Sequence, residues 1–236
     1  MKIKHIIPVF TFAVISLLFA GETVTETRDV SGYDWVVLDG SGDVTVIQGK
    51  EEKVIVKADK DIIDRVVTEV EGNKLHLGLK TEWNWHPKSM STIHYMVYIK
   101  NVSGLSVHGS GDVSADKIAS DDMNAHISGS GEISIEYLKC DDFDVSINGS
   151  GECEVGGKTN RQNIHISGSG DYTAKQFASK MAEVHISGSG DVILQVEDEL
   201  EVFISGSGDV VYYGSPDVSE HVSGSGDVTG KGAASH

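Results

Sequence analysis

The sequence predicts an all-β protein, a right-handed parallel β-helix (β-solenoid) of about 18–20 residues per coil, preceded by a β-rich N-terminal half that forms its first coils and cap. Three observations predict it: a Gly-Ser-Gly-Asp/Glu motif that occurs eight times, a nearly fixed step between its copies, and apolar residues alternating with polar ones on either side. The copies are Gly40, Gly42 and Asp43; Gly109, Gly111 and Asp112; Gly129, Gly131 and Glu132; Gly149, Gly151 and Glu152. They continue as Gly168, Gly170 and Asp171; Gly188, Gly190 and Asp191; Gly206, Gly208 and Asp209; Gly224, Gly226 and Asp227. The acidic residues are 69 positions apart at first, then 20, 20, 19, 20, 18 and 18.

The flanks define a strand on each side of every corner. Five positions before the acid stand Leu38, Val107, Ile127, Ile147, Ile166, Ile186, Ile204 and Val222. One position after it stand Val44, Val113, Ile133, Cys153, Tyr172, Val192, Val210 and Val228. Such period-two patterning puts these side chains inside and their neighbours, His185 among them, outside. Both glycines are expected to supply backbone angles that a β-carbon forbids. The serine between them is the same in all eight copies, which points to hydroxyls bonded to nearby backbone. A leucine-rich repeat is set aside because its leucine-asparagine signature is missing. Calcium-binding nonapeptide repeats are set aside because their step is nine. No six-residue period suggests a left-handed prism, and parallel crossovers are nearly always right-handed.

Residues 1–20 read as a leader outside the fold. Lys2 and Lys4 precede an apolar run from Ile6 to Ala20, the pattern of a secretory signal peptide, with an uncleaved anchor as the alternative. Loss of the leader moves the formal net charge from −17 to −19. That balance argues against nucleic acid and anionic lipid surfaces. Cys140 and Cys153 are the two cysteines. An exported protein permits a disulfide, but their offsets within the repeat differ, so unpaired thiols are expected.

Residues 21–104 hold strands with weaker signatures. Val30 to Ile47 gives a strand pair around the first corner, and Val54 to Ala58 gives a strand. Asp59 to Val67 allows a short helix at most, and Glu69 to Leu79 a hairpin turning at Gly72-Asn73. Thr92 to Lys100 alternates again, so the long gap is expected to hide about three coils or strand layers. Residues 105–236 then form the open run of the repeat, ending in a small polar tail. Solenoid ends expose strand edges, so a cap or self-association is expected.

Together, the block from Trp35 to Val46, the run Val54 to Ala58 leading to Thr68-Glu69-Val70 and Lys74 to Leu77, and the repeat itself resemble the head GIN domain family of exported, adhesin-like bacterial proteins. The resemblance spans essentially the whole chain after the leader. It implies a right-handed β-helix-like fold outside the cytoplasm (periplasm, outer surface or secreted) and offers no catalytic residues.

Three features bear on function. The acidic column reads as a corner cap, with a calcium rail as the alternative. Six positions before the acid lie His126, Ser146, His165, His185, Phe203 and His221, an outward column. Trp83, Trp85 and His86 sit in a loop and are the first candidates for contact with a glycan or protein, against the alternative of an end cap. Acids repeated at every coil look structural, so an enzyme is not expected, and neither a cofactor nor a metal is assigned. The expected function is an exported, non-catalytic binding or adhesin-like module; a polysaccharide lyase or hydrolase is the alternative.

Overall fold

The computed structural model describes residues 22–80 and 92–232. The N-terminal part contains β1 (Thr23–Arg28), β2 (Trp35–Gly40), β3 (Asp43–Gln48), β4 (Lys53–Asp59), β5 (Val66–Glu71), β6 (Lys74–Leu79) and β7 (His94–Ile99). A single 3-10 turn, Ile63–Arg65, is the only trace of the short helix among the described residues. The hairpin of β5 and β6 forms as expected, with Gly72 at φ 64° in its turn.

The repeat region contributes β8 (Gly104–Gly109), β9 (Asp112–Ala119), β10 (Asp122–Gly129), β11 (Glu132–Lys139), β12 (Asp142–Gly149) and β13 (Glu152–Lys158). It continues with β14 (Arg161–Gly168), β15 (Asp171–Gly188), β16 (Val192–Gly206), β17 (Val210–Tyr213), β18 (Asp217–Gly224) and β19 (Val228–Gly230). Strands before each corner stack in parallel register as β2, β8, β10, β12, β14, the second half of β15, the second half of β16, and β18. Strands after each corner form the facing wall: β3, β9, β11, β13, the first half of β15, the first half of β16, β17 and β19.

The two walls share one core. Ile127, Ile147, Ile166, Ile186 and Ile204 are at most 2% exposed, as are Val113, Ile133, Cys153, Tyr172, Val192 and Val210 from the facing wall. Each such side chain contributes about 1.5–3 kcal/mol over leaving it in water. His185 faces outward, its side chain 36% exposed.

The long gap is resolved differently from the expectation of about three coils. β2 and β3 are not at the end of the stack. Gly40 pairs with Gly109 and Asp43 with Asp112, so the first two copies touch despite the intervening sequence. On its other side β2 pairs in parallel with β6, and β3 with β7. The excursion therefore adds one strand layer beneath the first coil. Antiparallel strands then finish that end: β5 on β6, β4 on β7, and β1 on β4. At the other end β18 is exposed throughout, with Val218 and Val222 at 38% and 42% exposure.

The corner glycines have two separate reasons. Gly188 has φ 139°, in the region closed to most L residues. Gly190 has no positive φ; a β-carbon there would run into the carbonyl oxygen of Gly170 and lie 2.8 Å from Cγ2 of Ile166. From Gly111 onward the second glycine is thus required by the closeness of the coil beneath, not by its backbone angle; only Gly42, in the first corner, has the positive φ (147°) that the sequence suggested for it. The serine hydroxyls likewise are not the link between coils. Their backbone N–H groups are: Ser189 N donates to Gly168 O at 2.8 Å, and Ser207 N to Gly188 O at 2.8 Å. The side chains of these serines face solvent. Replacing Gly190 by alanine is expected to lower stability by about 1–3 kcal/mol, read as a fall of several degrees in thermal melting. An unchanged melting temperature would show that the coil below yields freely.

Candidate functional site

The outer face of the pre-corner wall carries a groove of about 390 Å³ where β6, β2, β8, β10, β12 and β14 lie side by side. Trp35 is its platform. Parity along β2 points Val36 and Leu38 inward, so Trp35 is thrown outward onto the neighbouring coil. Opposite it in register stands Gly104, and a β-carbon there would lie 2.5 Å from the indole ring. The glycine lets the ring lie on the sheet. The indole Nε1 donates to Ser106 Oγ at 2.8 Å, fixing the ring's direction. The Lys74 ammonium sits 4.6 Å from the indole centroid, a cation–π contact.

Histidines surround this platform. Asp39 accepts from His76 Nδ1 at 3.1 Å through one oxygen and from His108 Nδ1 at 2.9 Å through the other. Burial works to raise the Asp39 carboxyl's pKa, but these two rings outweigh it and hold the carboxyl below the usual range. His108 meets His126 edge-on, with ring centroids 5.7 Å apart. Burial, His108 and Lys74 together push the His126 imidazole below its ordinary value. Ser146 then interrupts the column, and the absence of a ring there deepens the groove between His126 and His165. Beyond it the rings stack: His165 on His185 at 4.7 Å, His185 on Phe203 at 4.6 Å, and Phe203 on His221 at 5.1 Å.

Three members of the acidic column are spent on the corner itself. Asp171 Oδ1 accepts from Asp191 N at 3.0 Å, Asp191 Oδ1 from Asp209 N at 2.9 Å, and Asp209 Oδ1 from Asp227 N at 2.9 Å. In earlier coils the acid's N–H instead reaches a glycine carbonyl, as in Asp112 N to Gly42 O at 2.9 Å. Asp43 turns its carboxylate to His94 Nδ1 at 3.1 Å. Burial, then the neighbouring Glu152 and Asp112, raise the Glu132 carboxyl's pKa. Among the described residues no group of three or more His, Cys, Asp or Glu is arranged to hold a metal ion.

A family model described as "Putative auto-transporter adhesin, head GIN domain" matches residues 32–216. The chain belongs to the head GIN domain family. No curated protein matches it significantly. Its fold is similar to that of a "putative adhesin" from Bacteroides fragilis, with TM-score 0.84, 19% identity, and coverage of 90% of this chain and 98% of that one. It is also similar to a "putative lipid binding protein" from Parabacteroides distasonis, with TM-score 0.72, 26% identity, and coverage of 89% and 97%. A "putative adhesin" from Parabacteroides merdae gives TM-score 0.72 at 21% identity, covering 89% and 97%.

Of the contact residues expected from sequence, Trp83, Trp85 and His86 lie outside the described residues, as does the leader. The head GIN domain places a different tryptophan at its groove. Trp35 was legible only as part of a strand; the available signal was its parity, a tryptophan on the outward phase of β2. Its partners Lys74 and Gly104 could not be found from spacing, because the chain leaves the stack between them. The outward histidine column is where alternation put it, and it runs from the groove toward the end of the stack.

Both cysteines are free and buried. Cys140 donates to Thr159 Oγ1 at 3.4 Å, and burial pushes its thiol up to about 11; burial raises Cys153 further. An aromatic disulfide reagent is expected to titrate no thiol in the native protein and both after denaturation. Reaction of neither after denaturation would mean a disulfide.

Asp191→Ala is expected to cost about 1 kcal/mol and Asp191→Asn less, since the amide keeps an acceptor for Asp209 N. Thermal unfolding is expected to be nearly the same in excess chelator and in millimolar calcium. A calcium-dependent rise of more than about 5 °C would make the column a cation site.

Proposed function

We propose that this head GIN domain is an exported, non-catalytic, adhesin-like binding module that holds a component of the cell envelope or of a neighbouring surface on the Trp35 groove. The observation that carries this reading is the preparation of the indole. Gly104 makes room for it, Ser106 fixes it, and polar side chains ring it. An aromatic ring already fixed on the sheet and partly exposed costs little further ordering when a ligand lands on it.

The leader-like residues 1–20 and the family support a place outside the cytoplasm, in the periplasm, at the outer surface or secreted. The Parabacteroides distasonis relative named for lipid binding supports ligand binding as a role for this fold. Here the groove sets histidine, serine and asparagine side chains beside the apolar Trp35, Val37, Ala125 and Val145, which suits a ligand with both hydroxyls and an apolar face, as a sugar ring has. Catalysis as a polysaccharide lyase or hydrolase finds less support, because the acids recur in every coil and several are held by backbone.

Binding of the labelled full chain to isolated envelope and to a glycan array tests the reading. Trp35→Ala and Gly104→Ala are each expected to weaken binding about tenfold or more, equivalent to about 1.4 kcal/mol, with unchanged circular dichroism. No saccharide product should be released from bound polysaccharide. Full binding by both variants would remove the groove from the function, and product release would make the protein an enzyme.

A further inference from the structure

The groove is poor in free carboxylate where the rest of the molecule is rich in it. The chain carries 36 Asp and Glu against 19 Lys and Arg. Yet the groove gathers Lys74, His76, His108, His126 and His165 against a single lining carboxylate, Asp144. Asp144 is itself engaged, accepting from Asn163 Nδ2 at 2.7 Å. Asp39, at the margin, has both oxygens committed to His76 and His108. That clasp uses Nδ1 of each ring and leaves Nε2 as the nitrogen not engaged with Asp39. Lys74 stands opposite Glu71 in the register of the hairpin, but its ammonium rests on the indole face, a position from which a flexible side chain can swing to an incoming anion.

An acidic protein surface repels anions in general, so one ammonium and several imidazole N–H donors gathered around an aromatic plate favour a ligand that carries both an anionic group and a ring. We propose that the groove is a subsite for an acidic saccharide, whose ring stacks on Trp35 while its carboxylate or sulfate meets Lys74 and His126. This rests on the reading of the groove as the binding face. The sugar's apolar C–H face would lie on the indole, as ring stacking requires. Lys74 and the imidazoles would meet the anionic group as charged or neutral N–H donors. The Asn124 amide donates through Nδ2 to Ser103 O at 3.1 Å, which leaves its carbonyl oxygen free to accept from a sugar hydroxyl. Ser146, in place of a further imidazole, gives the room the sugar needs between His126 and His165.

The test is an array that pairs each acidic glycan with its neutral counterpart: sialylated with desialylated, uronate with carboxyl-reduced, sulfated with desulfated. The full chain is expected to bind at least one acidic member about tenfold more tightly than its neutral partner. Lys74→Gln and His126→Gln should each narrow that ratio, and Trp35→Ala should weaken binding of both members of the pair. Equal binding of acidic and neutral members, with loss in Trp35→Ala, would overturn the acidic assignment and leave the groove standing. Acidic preference that survives Lys74→Gln together with His126→Gln would also overturn it, by placing the anion elsewhere. Binding of no glycan while envelope binding still depends on Trp35 would overturn the saccharide and keep the groove; binding that ignores Trp35 would take down both.

Discussion

The approach of successive corners to within a backbone hydrogen bond is the constraint on which the rest of the structure depends. Ser189 N reaches Gly168 O at 2.8 Å, and the same contact recurs up the stack, as in Ser225 N to Gly206 O at 2.8 Å. At that separation no β-carbon fits on either glycine. The first glycine also carries a positive φ that turns the chain from one wall to the other. Once the corners are in register, the residue five before and the residue one after each acid must point inward. The core then follows from alternation, coil by coil. This is why the repeat tolerates Ile, Val, Cys and Tyr at its inward positions while the corner keeps its glycines.

Stacking solves the hydrogen bonds of every strand except those at the two ends. The N-terminal end is finished by a change of direction: antiparallel β1, β4 and β5 close over the last parallel layer. The other end keeps its parallel edge. There Glu220 occupies the register position that Val202 holds one coil earlier, on a strand exposed along its whole length. A charge at an inward position of an edge strand discourages another strand from adding to it, a common way of protecting an open edge. The acidic ladder strengthens the same end. Asp171, Asp191 and Asp209 each accept the next acid's N–H, and from Asp191 onward the strand after the corner begins one residue later.

The groove exists because the chain departs from sequential stacking. β2 lies between β6 and β8, so a tryptophan from the first coil meets a lysine from the excursion and a glycine from the coil that follows it. A strictly sequential solenoid would have set Trp35 beside other residues. The proposed binding face thereby lies where the regular repeat meets its irregular partner, and the regular coils beyond supply a column of rings leading away from it.

The sequence by itself determined the architecture, the inward residues, the outward histidines and the need for glycine at the corners. These follow from local rules: period-two alternation fixes facing, and a constant step fixes register once one coil sits on another. It also indicated the β5–β6 hairpin through Gly72-Asn73, because turn chemistry is local. Only the tertiary structure decided which coil the first copy touches, and with it the company of Trp35. Sequence spacing carries no information about a strand inserted between layers separated by an excursion of this length. It likewise decided why the second glycine is needed from Gly111 onward, since the obstacle there is a carbonyl of the neighbouring coil. It gave the interstrand link to serine backbone N–H rather than to the hydroxyl, because the side chain turns to solvent while the amide faces the coil below.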